Sequence, residues 1–151
     1  MMVLNLILSF FLSFTNVSPT TPVKAEAVKP MACNTKAFTD AAISKLPRGY
    51  TFLKAYPIDG RGGSRKTIKY SYIFSKNSTY TVRLKNSHPK NVGVIVSIMN
   101  SRRKKIASSY VKGKYYPGLG YKCGATGIYY ITFRFDGKHD YCAGGVLAFK
   151  R

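Results

Sequence analysis

From Tyr50 onward the chain alternates between apolar and polar positions. In Lys66–Phe74, residues Ile68, Tyr70, Tyr72 and Phe74 take every second place, with Lys69 and Ser71 between them. That two-residue period is the mark of a strand with one buried face. Thr79–Leu84 repeats it with Tyr80, Val82 and Leu84. Ile128–Asp136 is the clearest case: Tyr129, Ile131, Phe133 and Phe135 share one face, and Tyr130, Thr132 and Arg134 share the other. Val92–Met99 is apolar on both faces, as a central strand requires. Thr51–Ile58, Lys105–Val111 and Val146–Lys150 also read as strands, and the irregular Tyr115–Cys123 has room for a short one. Pro57 puts Thr51–Ile58 at an edge or an end of its sheet. Turn formers separate these runs, among them Gly60-Arg61-Gly62-Gly63-Ser64, Lys76-Asn77-Ser78, Asn100-Ser101-Arg102-Arg103 and Lys112-Gly113-Lys114. Ahead of them, residues 34–45 predict one short helix, capped by Asn34 and stopped by Pro47, with Phe38, Ala41 and Ala42 on one side. Seven or eight short strands at such intervals predict an all-β antiparallel sandwich or barrel.

The first residues follow another pattern. Residues 3–14 are a 12-residue apolar run, short of the roughly 20 needed to span a bilayer and of the length of a signal-peptide core. Ala25-Glu26-Ala27 and Val23-Lys24-Ala25 offer small-x-small cleavage sites, although no Lys or Arg precedes the run. The organisation expected is a signal peptide over 1–27, a linker with the short helix over 28–49, and a β-sandwich domain over 50–151. No later apolar stretch is long enough to span a membrane, so the mature chain is expected at the cell envelope or outside the cell.

Export changes the reading of the cysteines. Cys33, Cys123 and Cys142 can form one bridge and leave one thiol over. A Cys123–Cys142 bridge needs a fold-back, because an extended strand between them would part its ends by roughly 25–30 Å. Bridged Cα atoms lie within about 7 Å. Cys33 is free to reach either partner, and three free thiols also stay open.

The strand grammar resembles a known family. Tyr70-Ser71-Tyr72-Ile73-Phe74 and Thr79–Leu84 lead into the 92–99 strand and then Asn100–Ser108. The end is Ala125-Thr126-Gly127-Ile128-Tyr129-Tyr130-Ile131. An aliphatic-Ala-x-Ser segment ahead of a Thr-Gly-x-Tyr-Tyr segment is similar to the bacterial pre-peptidase C-terminal domain and its jelly-roll relatives. The resemblance covers roughly residues 66–150. It implies an antiparallel jelly-roll-like β-sandwich, an accessory module of exported proteins, with no catalytic residues of its own. Acidic residues often seen in that family's middle turns are Arg and Lys here, so its calcium site is not expected.

Charge then narrows the function. Lys and Arg number 25 against 5 Asp and Glu, a net charge of +20. Every charged residue between Asp59 and Asp136 is basic, and Arg102-Arg103-Lys104-Lys105 is the densest run, followed by Lys112 and Lys114. Such a field attracts polyanions and is sensitive to salt. These six residues are the expected ligand-binding set. The expected partner is an anionic envelope or extracellular surface: polysaccharide, lipid headgroups or extracellular DNA. Tyr110, Tyr115, Tyr116, Tyr121 and Tyr130 are candidates for stacking on bases, against a core-packing role for each. A structural or adhesion module docking onto a partner protein is the alternative.

With five carboxylates and only His88 and His139, neither a metal site nor a cofactor is expected. Asp136, His139 and Asp140 fall in one loop. They allow a small secreted hydrolase as a further alternative, although a hairpin turn explains the same residues.

Overall fold

The computed structural model describes residues 32–151. The expected signal peptide, 1–27, and the start of the linker lie outside the described residues. Helix α1 spans Thr35–Ile43, and the Asn34 side chain accepts a hydrogen bond from the Ala37 amide at 3.1 Å, as its capping role requires. Ten strands follow: β1 Thr51–Asp59, β2 Thr67–Phe74, β3 Thr79–Asn86, β4 Val94–Met99, β5 Lys105–Ser108, β6 Tyr110–Val111, β7 Lys114–Tyr115, β8 Gly118–Lys122, β9 Gly127–Phe135 and β10 Cys142–Lys150.

Eight of the strands make two four-stranded antiparallel sheets. The first has the order β1-β10-β3-β8 and the second β2-β9-β4-β5. Leaving aside the small β6-β7 hairpin, the first strand pairs with the last, the second with the next to last, the third with β8, and β4 with β5. Four nested antiparallel pairs folded over one another are a jelly roll. The expected all-β sandwich is the fold observed.

The inward positions read from the alternation make the core. Tyr56, Ile58, Phe74, Val82, Val96, Ile98, Ile131, Phe133 and Leu147 are fully buried between the sheets. Phe74 lies at the centre of an aromatic cluster, stacked on Tyr80 at 3.8 Å between ring centroids and on Tyr129 at 4.8 Å. Contacts of this kind add about 0.5–1.5 kcal/mol beyond area burial.

Helix α1 covers the outer face of the first sheet, over β10, β3 and β1. Its close approach rests on Gly144, where a Cβ would stand 2.2 Å from the Thr39 amide nitrogen. The neighbouring Gly145 faces the core against Phe133. Cys33, just ahead of the helix, is bridged to Cys142 at the start of β10, with 5.4 Å between Cα atoms. Cys123 is buried as a free thiol.

The structure revises three boundaries. Lys105–Val111 is not one strand. It breaks at Ser109, which is buried and bonds Val96 through both its amide and its hydroxyl. Beyond the break, β6 turns on Lys112-Gly113 to pair with β7. The last strand begins at Cys142 instead of Val146, because the glycine pair that weakens the strand signal is what lets the helix and Phe133 approach. Val92 and Gly93 belong to the loop before β4, where Gly93 has φ +96° and packs on His139.

Candidate functional site

The antiparallel registers sort every loop to one of two ends of the sandwich. At one end lie the β2–β3 turn (75–78), the β4–β5 turn (100–104), the β8–β9 loop (123–126) and the close of β10. At the other lie the loops after β1, β3 and β9. Lys76, Arg102, Arg103, Lys104, Lys105, Lys122 and Lys150 gather at the first end, all exposed. The carboxylates do not. Asp59, Asp136 and Asp140 are at the opposite end, and Asp40 is on α1, paired with Lys36 at 2.7 Å. Among the described residues the first end, the basic pole, carries no Asp or Glu side chain.

The pole is a braced platform. The β2–β3 turn and the β8–β9 loop exchange backbone hydrogen bonds, Asn77 amide to Cys123 carbonyl at 2.9 Å and Cys123 amide to Ser78 carbonyl at 2.8 Å. The Thr126 hydroxyl accepts from the Lys76 amide at 2.9 Å, and the Tyr80 hydroxyl accepts from the Ser75 amide at 2.8 Å. Tyr129, rising from the aromatic cluster, donates its hydroxyl to the Ala125 carbonyl at 2.8 Å. The Thr-Gly-x-Tyr-Tyr run is therefore mostly structural: Thr126 and Tyr129 pin two loops, while Ile128 and Tyr130 point outward.

The β4–β5 turn is held by Asn100, whose side chain accepts from the Lys104 amide at 3.0 Å. Its tip places Arg103 at φ +61°, a left-handed conformation that costs an L-residue roughly 1–2 kcal/mol relative to Gly. The guanidinium lies 5.8 Å from the Tyr130 ring centroid. Between this turn and the β8–β9 loop an open cleft of about 310 Å³ is lined by Arg102, Ile106, Tyr121, Ile128 and Tyr129.

The six expected ligand residues do not converge. Arg102–Lys105 belong to the pole beside Tyr130. Lys112 and Lys114 sit on the β6–β7 hairpin, whose Tyr115 donates its hydroxyl to Asp136 at 2.9 Å. Tyr130 and Asp136 are six residues apart along and just beyond β9, about 20 Å. The hairpin belongs to the other end of the sandwich. Of the tyrosines considered for stacking, Tyr121 packs on the core cluster, Tyr110 and Tyr115 pack on each other at 4.7 Å, and Tyr116 is exposed.

The Asp136 end has its own geometry. Asp136 accepts from the Lys138 amide, the Tyr115 hydroxyl and His139, each at 2.9 Å. Burial raises its pKa, but these three bonds outweigh it and hold the carboxyl below its ordinary value. Burial and the same contact push the Tyr115 phenol up to about 12. Asp140 meets the Ser87 hydroxyl at 2.6 Å and His88 at 3.5 Å, and the His88 ring packs edge-on against His139 at 5.0 Å between centroids. The two carboxylates thus staple separate loops and do not flank one histidine. Among the described residues, no three His, Cys, Asp or Glu side chains are placed to hold a metal ion, and no helix is long and apolar enough to cross a membrane.

Two residues of the pole escaped the pattern reading. Ile73 and Ile128 are 65% and 51% exposed, more than any other large apolar side chain described. They pair directly across β2 and β9. The signal was present as an apolar residue in the polar phase of each strand.

No family model matches this chain, and no curated protein does. Among solved structures it is similar to PliG of Aeromonas hydrophila, a periplasmic inhibitor of g-type lysozyme, with a TM-score of 0.45 and 13% identity over 70% of this chain and 92% of that one. It is also similar to the pre-peptidase C-terminal domain of a Bacillus anthracis collagenase, with a TM-score of 0.38 and 13% identity over 67% of this chain and 87% of that one. The second is of the family that the strand pattern resembles. At these values neither likeness carries an argument about function, and the sandwich rests on its own strand order.

Proposed function

We propose that this chain is an exported, non-catalytic β-sandwich module that binds a negatively charged envelope or extracellular partner through its basic pole. One observation carries the reading: the fold clears every carboxylate from the end that holds Arg102–Lys105, whereas the exposed cations of the other end share it with Asp59, Asp136 and Asp140. Charge serving only solubility needs no such sorting. Clustered like charge costs stability through self-repulsion, and an anionic partner relieves it. Arg102, Arg103, Lys104 and Lys105 are the attracting group, with Lys76 and Lys122 beside them. Lys112 and Lys114, on the far hairpin, would form a second and weaker contact.

The test is elution from heparin, DNA and anionic-polysaccharide resins across a salt gradient, beside a small basic protein of similar charge density. Neutralising four charges in R102Q/R103Q/K104Q/K105Q is expected to lower the eluting salt concentration well below that of a variant with four cations removed elsewhere (K54Q/R61Q/R65Q/K90Q). Equal shifts in the two variants would reduce the pole to a share of bulk charge. The protein-docking alternative would then lead.

A further inference from the structure

We propose that the anionic partner of the basic pole is a phospholipid bilayer with negative headgroups, met by Ile73 and Ile128 at the acyl boundary and by the surrounding cations at the headgroups. The inference rests on the reading of the pole as an anion-binding face and names the kind of surface it binds.

Ile73 and Ile128 stand side by side on the outer face of the second sheet, at its rim with the pole. Only the rim of that face is open: Ile73 and Ile128 are exposed, whereas the outward residues Ile95, Ser97 and Thr132 farther along β4 and β9 are buried. Cations flank the pair on both sides. Lys76 is three residues beyond Ile73 in the adjoining turn, Arg102 shares the cleft with Ile128, and Lys69 lies on the same strand face four residues before Ile73. Tyr130, beneath Arg103, is the next outward residue of β9 after Ile128. An aliphatic tip, a tyrosine beside it and a cationic surround match the layers of an anionic membrane interface.

Other anionic partners use this arrangement poorly. A polysaccharide or a nucleic acid offers no apolar phase for two isoleucines. A standard protein interface buries about 800 Å² on each side around Trp, Tyr and Arg anchors. Two isoleucine side chains can supply only a small fraction of that area. Penetration into a bilayer needs no partner shape, and the cations supply the remaining attraction.

The experiment uses the chain without residues 1–27, because a leader would bind lipid on its own account. Residues 32–151 belong to one compact unit that holds the whole sandwich core. Co-sedimentation is measured with sucrose-loaded vesicles of phosphatidylcholine containing 30% phosphatidylglycerol, and with pure phosphatidylcholine, in physiological salt. The protein is expected to sediment with the anionic vesicles only. I73S/I128S is expected to lower the partition coefficient at least tenfold while its heparin elution stays at the wild-type position. Both positions are exposed, so the variant is expected to melt with the wild type. The chain has no Trp, so I128W supplies a local reporter whose emission should shift to the blue on anionic vesicles. Vesicle binding by I73S/I128S equal to wild type, or no shift in I128W, overturns the bilayer assignment. Heparin retention with no vesicle binding also overturns it and leaves the polyanion reading standing. A wild type that binds neither heparin nor anionic vesicles overturns the reading of the pole and the bilayer assignment with it.

Discussion

The bridge between Cys33 and Cys142 makes a large and separable prediction. It spans 109 residues of sequence and joins the approach to α1 to the first residue of β10. In the chain-entropy description, a loop of that length removes about 16 cal/mol/K from the unfolded ensemble, or roughly 5 kcal/mol at 25 °C. Domains of this size are stable by about 5–15 kcal/mol in all, so the bridge is a major share of the total. C33S/C142S should keep the fold, because the core and the seating of the helix on Gly144 do not pass through sulfur. It should unfold at much lower urea, with stability reduced by about 3–5 kcal/mol. The check is urea unfolding followed by circular dichroism, with and without reductant, on the wild type, C33S/C142S and C123S. Reductant should destabilise the wild type and C123S alike and leave C33S/C142S unmoved. In the native protein the Cys123 thiol is 1% exposed and should react with a thiol reagent only on unfolding. Wild-type stability indifferent to reductant within about 1 kcal/mol would refute the magnitude. Peptide mapping that places the bridge at Cys123 would refute the topology.

Two further outcomes follow from the packing and the loops. In G144A the new methyl would meet the helix backbone at Thr39 and Phe38, so α1 must lift. A loss of about 1–3 kcal/mol is expected, against little change for G124A, which has open space around it, in parallel thermal melts. Asp136 has a folded pKa below its ordinary value, so its stabilising contribution is complete above the unfolded value of about 4 and is lost as pH falls through the lower folded value. A series of melting temperatures from pH 6 to pH 2 should show an acid limb that is shallower in D136N. D136N should also be less stable than wild type at neutral pH, where His139 and Tyr115 have lost an anionic acceptor; matching limbs would remove Asp136 from the account.

The alternation along the chain already contained the strands, the capped helix, most of the core and the class of fold. These depend on neighbours within a few residues, where a period of two decides which side chains face inward. The excess of positive charge was equally legible. What local pattern does not contain is which strand pairs with which, and much of the candidate site is of that kind. Nested pairing of first strand with last sends Arg102–Lys105 to one end and Lys112 and Lys114 to the other, although they are close in sequence. The same pairing sets Ile73 beside Ile128 across 55 residues of chain, turning two minor breaks in alternation into one exposed apolar rim. Gly144 and Gly145 hid half of β10, because a glycine signals a weak strand until a helix and a ring are seen to need the space. Cys33 could choose between two partners until the packing of α1 on the first sheet left its sulfur beside Cys142. Composition and period settled what this protein is built from; the contacts between residues far apart in the chain decided where its charge and its exposed apolar surface meet.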